Sequence, residues 1–179
     1  MCELTEGKET ICDSAGGSKV AYLYSLKDSL GISIYAAPPT ITAGEITAMA
    51  FKTGKQAYAF NVETETLDGN TNSIGEKANS ATAYEHTTVI KLAGNSAADI
   101  ALAQQLCKGR VGVILQLNDG TLEAYHFEEG IGGKVQRSRT VGVALEDFNG
   151  STLTITSKQT LPEMKIDSTI VDSLLIPAT

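Results

Sequence analysis

Between Tyr84 and Phe127 a strand, a short capped helix and a tight hairpin follow one another inside a chain that otherwise reads as strands. Ser96 stands where it can accept from the free amides of a first helical turn, and Asp99 three residues later completes a capping box. Gly109 is placed to end the helix in the left-handed conformation. Between these caps Ile100, Ala103, Leu106 and Cys107 recur at helical spacing. The spacing predicts a helix from Ala97 to Lys108, roughly 18 Å long, enough to cover one sheet face as a lid. One helix set into antiparallel strands, with no catalytic constellation around it, points to a building block.

The 179 residues suffice for one domain with a real core, and with no Trp and four Phe that core has to be built from Val, Ile, Leu, Ala and Tyr. A net charge of −7 argues against a nucleic-acid binder held by phosphate contacts, since the cations cluster only at Lys134, Arg137 and Arg139. An acidic surface has another use, letting a polyanion slide past without sticking. No run of apolar residues is long enough for a membrane span and the start of the chain lacks the pattern of a signal peptide, so a soluble, cytoplasmically made protein is expected. Cys2, Cys12 and Cys107 are expected as reduced thiols, with a Cys2–Cys12 bridge as the alternative.

Residues 1–18 are polar and Gly-rich and read as an irregular arm of the kind that anchors on a neighbour. Lys19 to Leu26 and Ile32 to Ala36 read as strands, after which Pro38-Pro39 should break any ladder. Ile46 to Phe51 and Gln56 to Val62 read as a hairpin around Gly54. From Glu63 to Ala83 the apolar density falls, which predicts a long hairpin (63–83) that leaves the domain and orders on a partner. Thr87 to Leu92 returns to strand. Val111 to Leu117 should sit centrally, and Asp119-Gly120 should turn into Leu122 to Phe127 as a two-residue hairpin. Val135 to Ala144 and Ser151 to Ser157 form a last hairpin through Phe148-Asn149-Gly150, and the apolar tail 162–179 reads as a helix or strand that docks. The sum is one β-rich domain over residues 1–179, mainly β, an antiparallel sandwich or barrel-like fold with one flanking α-helix and a projecting hairpin.

Chemistry-bearing motifs are weak. Asp68, Asn70 and Asn72 have the spacing of the first three ligands of a calcium loop, but Ser73 and Asn79 occupy the positions needing Gly and Glu, so a solvated turn is expected and no metal site. Gly130, Gly132 and Gly133 have no following helix to hold a phosphate. His86 and His126 lack sequence partners for a triad or metal site and are expected at a surface or interface. Cys107 is expected to be buried and inert. Glu128-Glu129 and Glu146-Asp147 follow strands as solvated acids. Neither catalytic residues nor a cofactor is expected.

Several turn and packing residues carry a likeness to a known group. These are Cys2-Glu3-Leu4-Thr5 with Gly7, Cys12-Asp13-Ser14-Ala15-Gly16-Gly17 with Lys19, and Gly44-Glu45-Ile46-Thr47. In the second half they are Leu106 to Gly109, Val111 to Leu117, Asp119-Gly120, Glu129-Gly130, Gly142, Ala144, Asp147, and Asn149-Gly150 before Leu153-Thr154. In them the chain resembles structural proteins of tailed bacteriophages, of the tail-tube type found in crAss-like and related phages. The tail after Pro162 and the many Ala and Thr positions depart from that pattern.

The resemblance implies hexameric rings whose sheets join into an inner barrel and stack into a conduit for DNA ejection. It also implies a virion location, with self and other tail or neck proteins as partners, DNA passing without specific binding, and no membrane. In such a tube Glu63, Glu65, Asp68, Glu123, Glu128 and Glu146 are the candidate lumen-facing acids, and Asp68, Asn70 and Asn72 mark the candidate assembly arm. The alternatives are another virion protein, at the neck, ring or capsid surface, and a small binding β-domain.

Overall fold

The computed structural model describes residues 17–27, 30–61, 67–75, 82–93, 96–142 and 148–176. Its strands are β1 (Ser18–Ser25), β2 (Tyr35–Thr42), β3 (Glu45–Phe51), β4 (Ala57–Asn61), β5 (Leu67–Ile74), β6 (Ala83–Ala93), β7 (Arg110–Leu117), β8 (Leu122–Tyr125), β9 (Gly133–Thr140), β10 (Gly150–Gln159), β11 (Met164–Ile166) and β12 (Leu175–Ile176). Two helices interrupt them, α1 (Ala97–Lys108) and α2 (Ser168–Leu174). The protein is mainly β, with sandwich-like layering and α1 on its flank.

β7 is the hub. Five consecutive residues, Val111 to Leu115, are buried, which requires cover on both faces of the strand. Ile114 points into one core with Tyr24, Tyr35, Ile46, Met49, Phe127 and Leu174. Val111, Val113 and Leu115 point into the other, with Leu23, Leu67, Ile90, Leu153 and Ile155. β1 divides likewise, Tyr24 on the first side and Ala21 and Leu23 on the second, as period-two alternation demands. β1, β7 and β8 are therefore the shared wall between two cores.

On one edge β7 pairs with β1, which continues to β4 and β12. On the other edge it pairs with both β8 and β9, and the sheet divides there. One wing runs β8-β11-β3-β2 and the other β9-β10-β6-β5. Pairing is antiparallel except for the short parallel contacts β3–β11 and β4–β12.

Val111–Leu117 is central as expected, and the last hairpin forms with Gly150 opposite Thr140. The Asp119-Gly120 turn forms with three loop residues rather than two. Gly120 takes φ 89°, its N–H donates to Leu117 O at 3.0 Å, and Thr121 N–H donates to Asp119 Oδ1 at 2.8 Å. This is the type I turn closed by a left-handed residue that glycine adopts without strain.

Three expectations are corrected. β3 and β4 do not form a hairpin, because β4 is drawn between β1 and β12 while β3 joins β2 and β11. Pro38-Pro39 does not end its strand. β2 carries both prolines at the edge of the sheet, where a missing N–H is tolerated, and its register shifts around them. The stretch 63–83 does not leave the domain over its described part, since Leu67–Ile74 runs along β6 from Leu67↔Ile90 to Ile74↔Ala83 as an edge strand. The apolar tail docks as expected over its described part, on its own domain, placing Met164, Ile166 and Leu174 in the first core through a strand and a second helix.

Candidate functional sites: an edge strand, a histidine layer and an acidic rim

β5 is one of the edge strands. Leu67 is buried at its start, and Asp68, Asn70 and Asn72 line its exposed face, as every second residue of a strand must. The three candidate arm residues are thus together on one strand face, which corrects the solvated turn expected of them. Gly69 faces inward, where an added Cβ would meet Leu115 Cδ1 at 2.5 Å and Tyr125 Cζ at 3.2 Å. Glycine is what lets β5 lie this close to the core.

Below Gly69 the interior turns polar. Thr71 lies opposite His86, and His86 opposite Ser157 on β10. His86 and His126 are both fully buried, which corrects their expected surface placement. The Leu161 carbonyl can only accept, so the 3.0 Å contact assigns the His86 proton to Nε2. His86 Nδ1 then accepts from the His126 N–H at 3.3 Å. The His126 ring joins two hydroxyls, Ser157 Oγ at 2.7 Å from Nδ1 and Thr88 Oγ1 at 3.1 Å from Nε2. His126 takes φ +56°, turning its side chain inward at the end of β8.

Burial lowers both histidines' pKa values; His126 falls to about 3, with His86 adding repulsion, while the Leu161 carbonyl and then Glu163 and Glu128 partly oppose the shift at His86. Both are therefore neutral near pH 7. Ser157 beside His126 has the contact of a nucleophile and base, but both are sealed from solvent and the second ring nitrogen faces a hydroxyl rather than a carboxylate. The arrangement is a hydrogen-bonded core layer. Among the described residues, buried Gln159 has no hydrogen-bond partner for either amide atom, and neither does the Thr71 hydroxyl.

Acidic groups gather around this layer. Glu123, Glu163 and Asp68 act on the Tyr125 phenol, which burial above all holds well above its ordinary pKa, and Glu123 Oε2 accepts from Tyr125 Oη at 2.9 Å. Glu128 accepts from Thr160 N at 2.8 Å and from its hydroxyl, tying the end of β10. Of the candidate lumen acids, Asp68, Glu123 and Glu128 thus lie in one region. Glu123 and Glu128 are engaged within the fold and Asp68 is exposed. Glu63, Glu65 and Glu146 lie outside the described residues. Glu163 belongs to the rim and was missed, because its neighbours are distant in sequence.

The basic residues are divided by β9 pleating, Arg137 and Arg139 on one face and Lys134 on the other. Arg137 donates to Ser151 Oγ at 3.1 Å, and Arg139 donates to Gly150 O at 2.9 Å and Asn149 Oδ1. They fasten the last hairpin.

α1 spans Ala97–Lys108 with the capping box in place: Asp99 N donates to Ser96 Oγ at 3.1 Å and Ser96 N to Asp99 Oδ2 at 2.9 Å. Gly109 ends it in extended conformation at φ −104°, not left-handed, its N–H held by Leu106 O. Only Ala103 of the expected stripe is fully buried; Leu106 is half-buried, Ile100 is 41% exposed, and Cys107 is an exposed free thiol rather than a core residue. Ala103 and the half-buried Leu106 are the stripe residues that pack against the second core.

Among the described residues no group of His, Cys, Asp or Glu is arranged to hold a metal ion, and no helix is long and apolar enough to cross a membrane. No family model, curated protein or solved structure matches this chain.

Proposed function

We propose that this chain is a self-assembling structural subunit of the phage tail-tube type, whose copies close into rings, six to a ring as the resemblance implies, that stack into a conduit for DNA. The observation that carries this reading is β5. It is eight residues long, regular in register, and no described strand pairs with its outer edge. It contains no Pro or Lys, the usual protections of a free edge. A strand left in this state in a folded domain is suited to addition of a neighbour's backbone, and ring closure removes the edge. The acidic rim supports the same reading, because carboxylates around a bore meet DNA with repulsion instead of releasing its counterions.

Negative-stain imaging and sedimentation of the purified full chain test it. Rings or tubes are expected, with no measurable duplex DNA affinity at physiological salt. Monomers at every concentration, or tight DNA binding by the assembled form, overturn it.

A further inference from the structure

A groove of about 400 Å³ lies between α1, β4 and the last residues of β1. Leu102 and Leu106 form one wall, one helical turn apart, and Tyr58 and Phe60 form the other from one face of β4. Lys27 and Lys55, both exposed, stand among the lining residues. Tyr58 is 56% and Leu102 39% exposed. Apolar surface bordered by charge and left facing water marks a docking surface.

The occupant is indicated by charge and by chain direction. Residues 1–16 carry Glu3, Glu6, Glu9 and Asp13 against one cation, Lys8, with Met1, Leu4 and Ile11 between them. An acidic segment with spaced apolar residues is the complement of an apolar groove bordered by lysines. β1 runs toward the groove, which borders its Ser25 end, whereas Gly17 is held at the other end by the Asn118 N–H donating to its carbonyl at 3.1 Å. At roughly 3.3 Å per residue Gly17 and Ser25 are about 26 Å apart. Residues 1–16 therefore enter the fold at the end remote from the groove. Returning to their own groove would use about half their length merely to retrace the strand. Two copies set head to tail along β1 bring this segment of one to the groove of the next, and such a contact repeats along an axis.

We propose that this groove receives residues 1–16 of a second copy of the chain and is the stacking contact between successive layers. The proposal rests on the reading of the chain as a self-assembling subunit and adds an axial contact to the lateral one at β5.

The test is disulfide trapping in the full chain, using native Cys2 and Cys12 against a cysteine placed in the groove. Leu102→Cys with Cys107→Ser, mildly oxidised, should give dimers and higher species on a non-reducing gel, with peptide mapping joining position 102 to Cys2 or Cys12. Tyr58→Cys with Cys107→Ser repeats the test from the opposite wall, in case one substitution disturbs folding. Val141→Cys with Cys107→Ser, at an exposed site outside the groove, should give none. Adding Lys27→Glu and Lys55→Glu should lower the trapped fraction about tenfold. Absence of the intermolecular species from both walls, or links confined within one chain, overturns the proposal. Rings without trapped species leave the β5 reading standing and overturn the groove contact; trapped species without rings keep the groove contact and overturn the ring.

Discussion

The two ends of the sheet path, β2 and β5, are both eight residues long, and their sequences treat the same hazard differently. β2 carries Pro38-Pro39, and its pairing with β3 shifts between Tyr35 and Ala37, between Ala37 and Thr40, and between Thr40 and Ile41. A strand so interrupted offers an incoming strand no continuous row of donors and acceptors. β5 pairs with β6 through eight unbroken positions and turns Asp68, Asn70 and Asn72 to the outside. The difference teaches which edge the fold protects and which it leaves open, and such selectivity is what the proposed assembly contact requires.

The comparison is broken most directly by placing charge on each edge in turn. Asp68→Lys, Asn70→Lys and Asn72→Lys together change only exposed positions, so melting should move by no more than a few degrees. Assembly should be lost outright, because lysines on an edge oppose strand addition. Ala37→Lys with Thr40→Lys on β2 should leave assembly intact. Sedimentation of both variants reads the result, and equal behaviour of the two edges ends the distinction.

Acid supplies the next largest effect. A histidine whose folded pKa is depressed leaves the unfolded chain binding more protons, so its contribution is full above about pH 6.5 and is lost as pH falls toward the folded value near 3. At pH 4.5, two units into that window, His126 alone should remove about 2–3 kcal/mol. Asp99, Asp119 and Asp167 have carboxyls held below the ordinary carboxylate range by hydrogen bonds from nearby hydroxyl and backbone N–H groups. Thr71 of β5 sits opposite His86, whereas β2 and β3 pack on a core of aromatic and aliphatic groups. Hydrogen exchange at pH 4.5 should show β5 and β6 opening before β2 and β3; His126→Gln should flatten the pH slope of stability. Simultaneous opening of both edges would mean that the histidine layer does not hold β5.

What was legible in the chain was local. Ser96 and Asp99 specify the start of α1 because a capping box needs only four residues, and Val111 to Leu117 marks a central strand because continuous apolarity has one common use. β4 could not be placed from its own sequence, since its choice of β1 over β3 is made by the core that Ala57 enters. His86 and His126 are forty residues apart in the chain, and their hydroxyl partners come from β6 and β10. Alternation within β6 was the one available signal for His86, because the Thr88–Ile90 face on which it falls is buried. Asp68, Asn70 and Asn72 looked like part of a loop because polar residues lower a strand signal. An edge strand is where polar alternation belongs.

A smaller effect tests why β5 lies so close to the core. Gly69→Ala would place a methyl group against Leu115 and Tyr125 and should cost about 1–2 kcal/mol, since the leucine end can yield only in part. Ala37→Val on exposed β2 should stay within about 0.5 kcal/mol. Chemical denaturation of the two variants separates them, and similar small losses would show that β5 does not depend on close approach.

A stability change no larger than that of Gly69→Ala should come from removing the protection of β2. Pro38→Ala with Pro39→Ala enlarges the conformational freedom of the unfolded chain, a loss of about 1 kcal/mol, while the native contacts of an edge position are little altered. Two backbone N–H groups are restored at the same time, and β2 gains the donors that strand addition needs. The double variant should therefore fold with only that modest loss of stability yet associate irregularly, seen as rising light scattering in place of uniform particles. Combining it with the three β5 lysines should keep the scattering and still give no rings, because the new edge lacks the geometry of the old one. If the double variant behaves as the parent does in both backgrounds, the prolines are not a guard, and β5 must owe its selectivity to its own side chains.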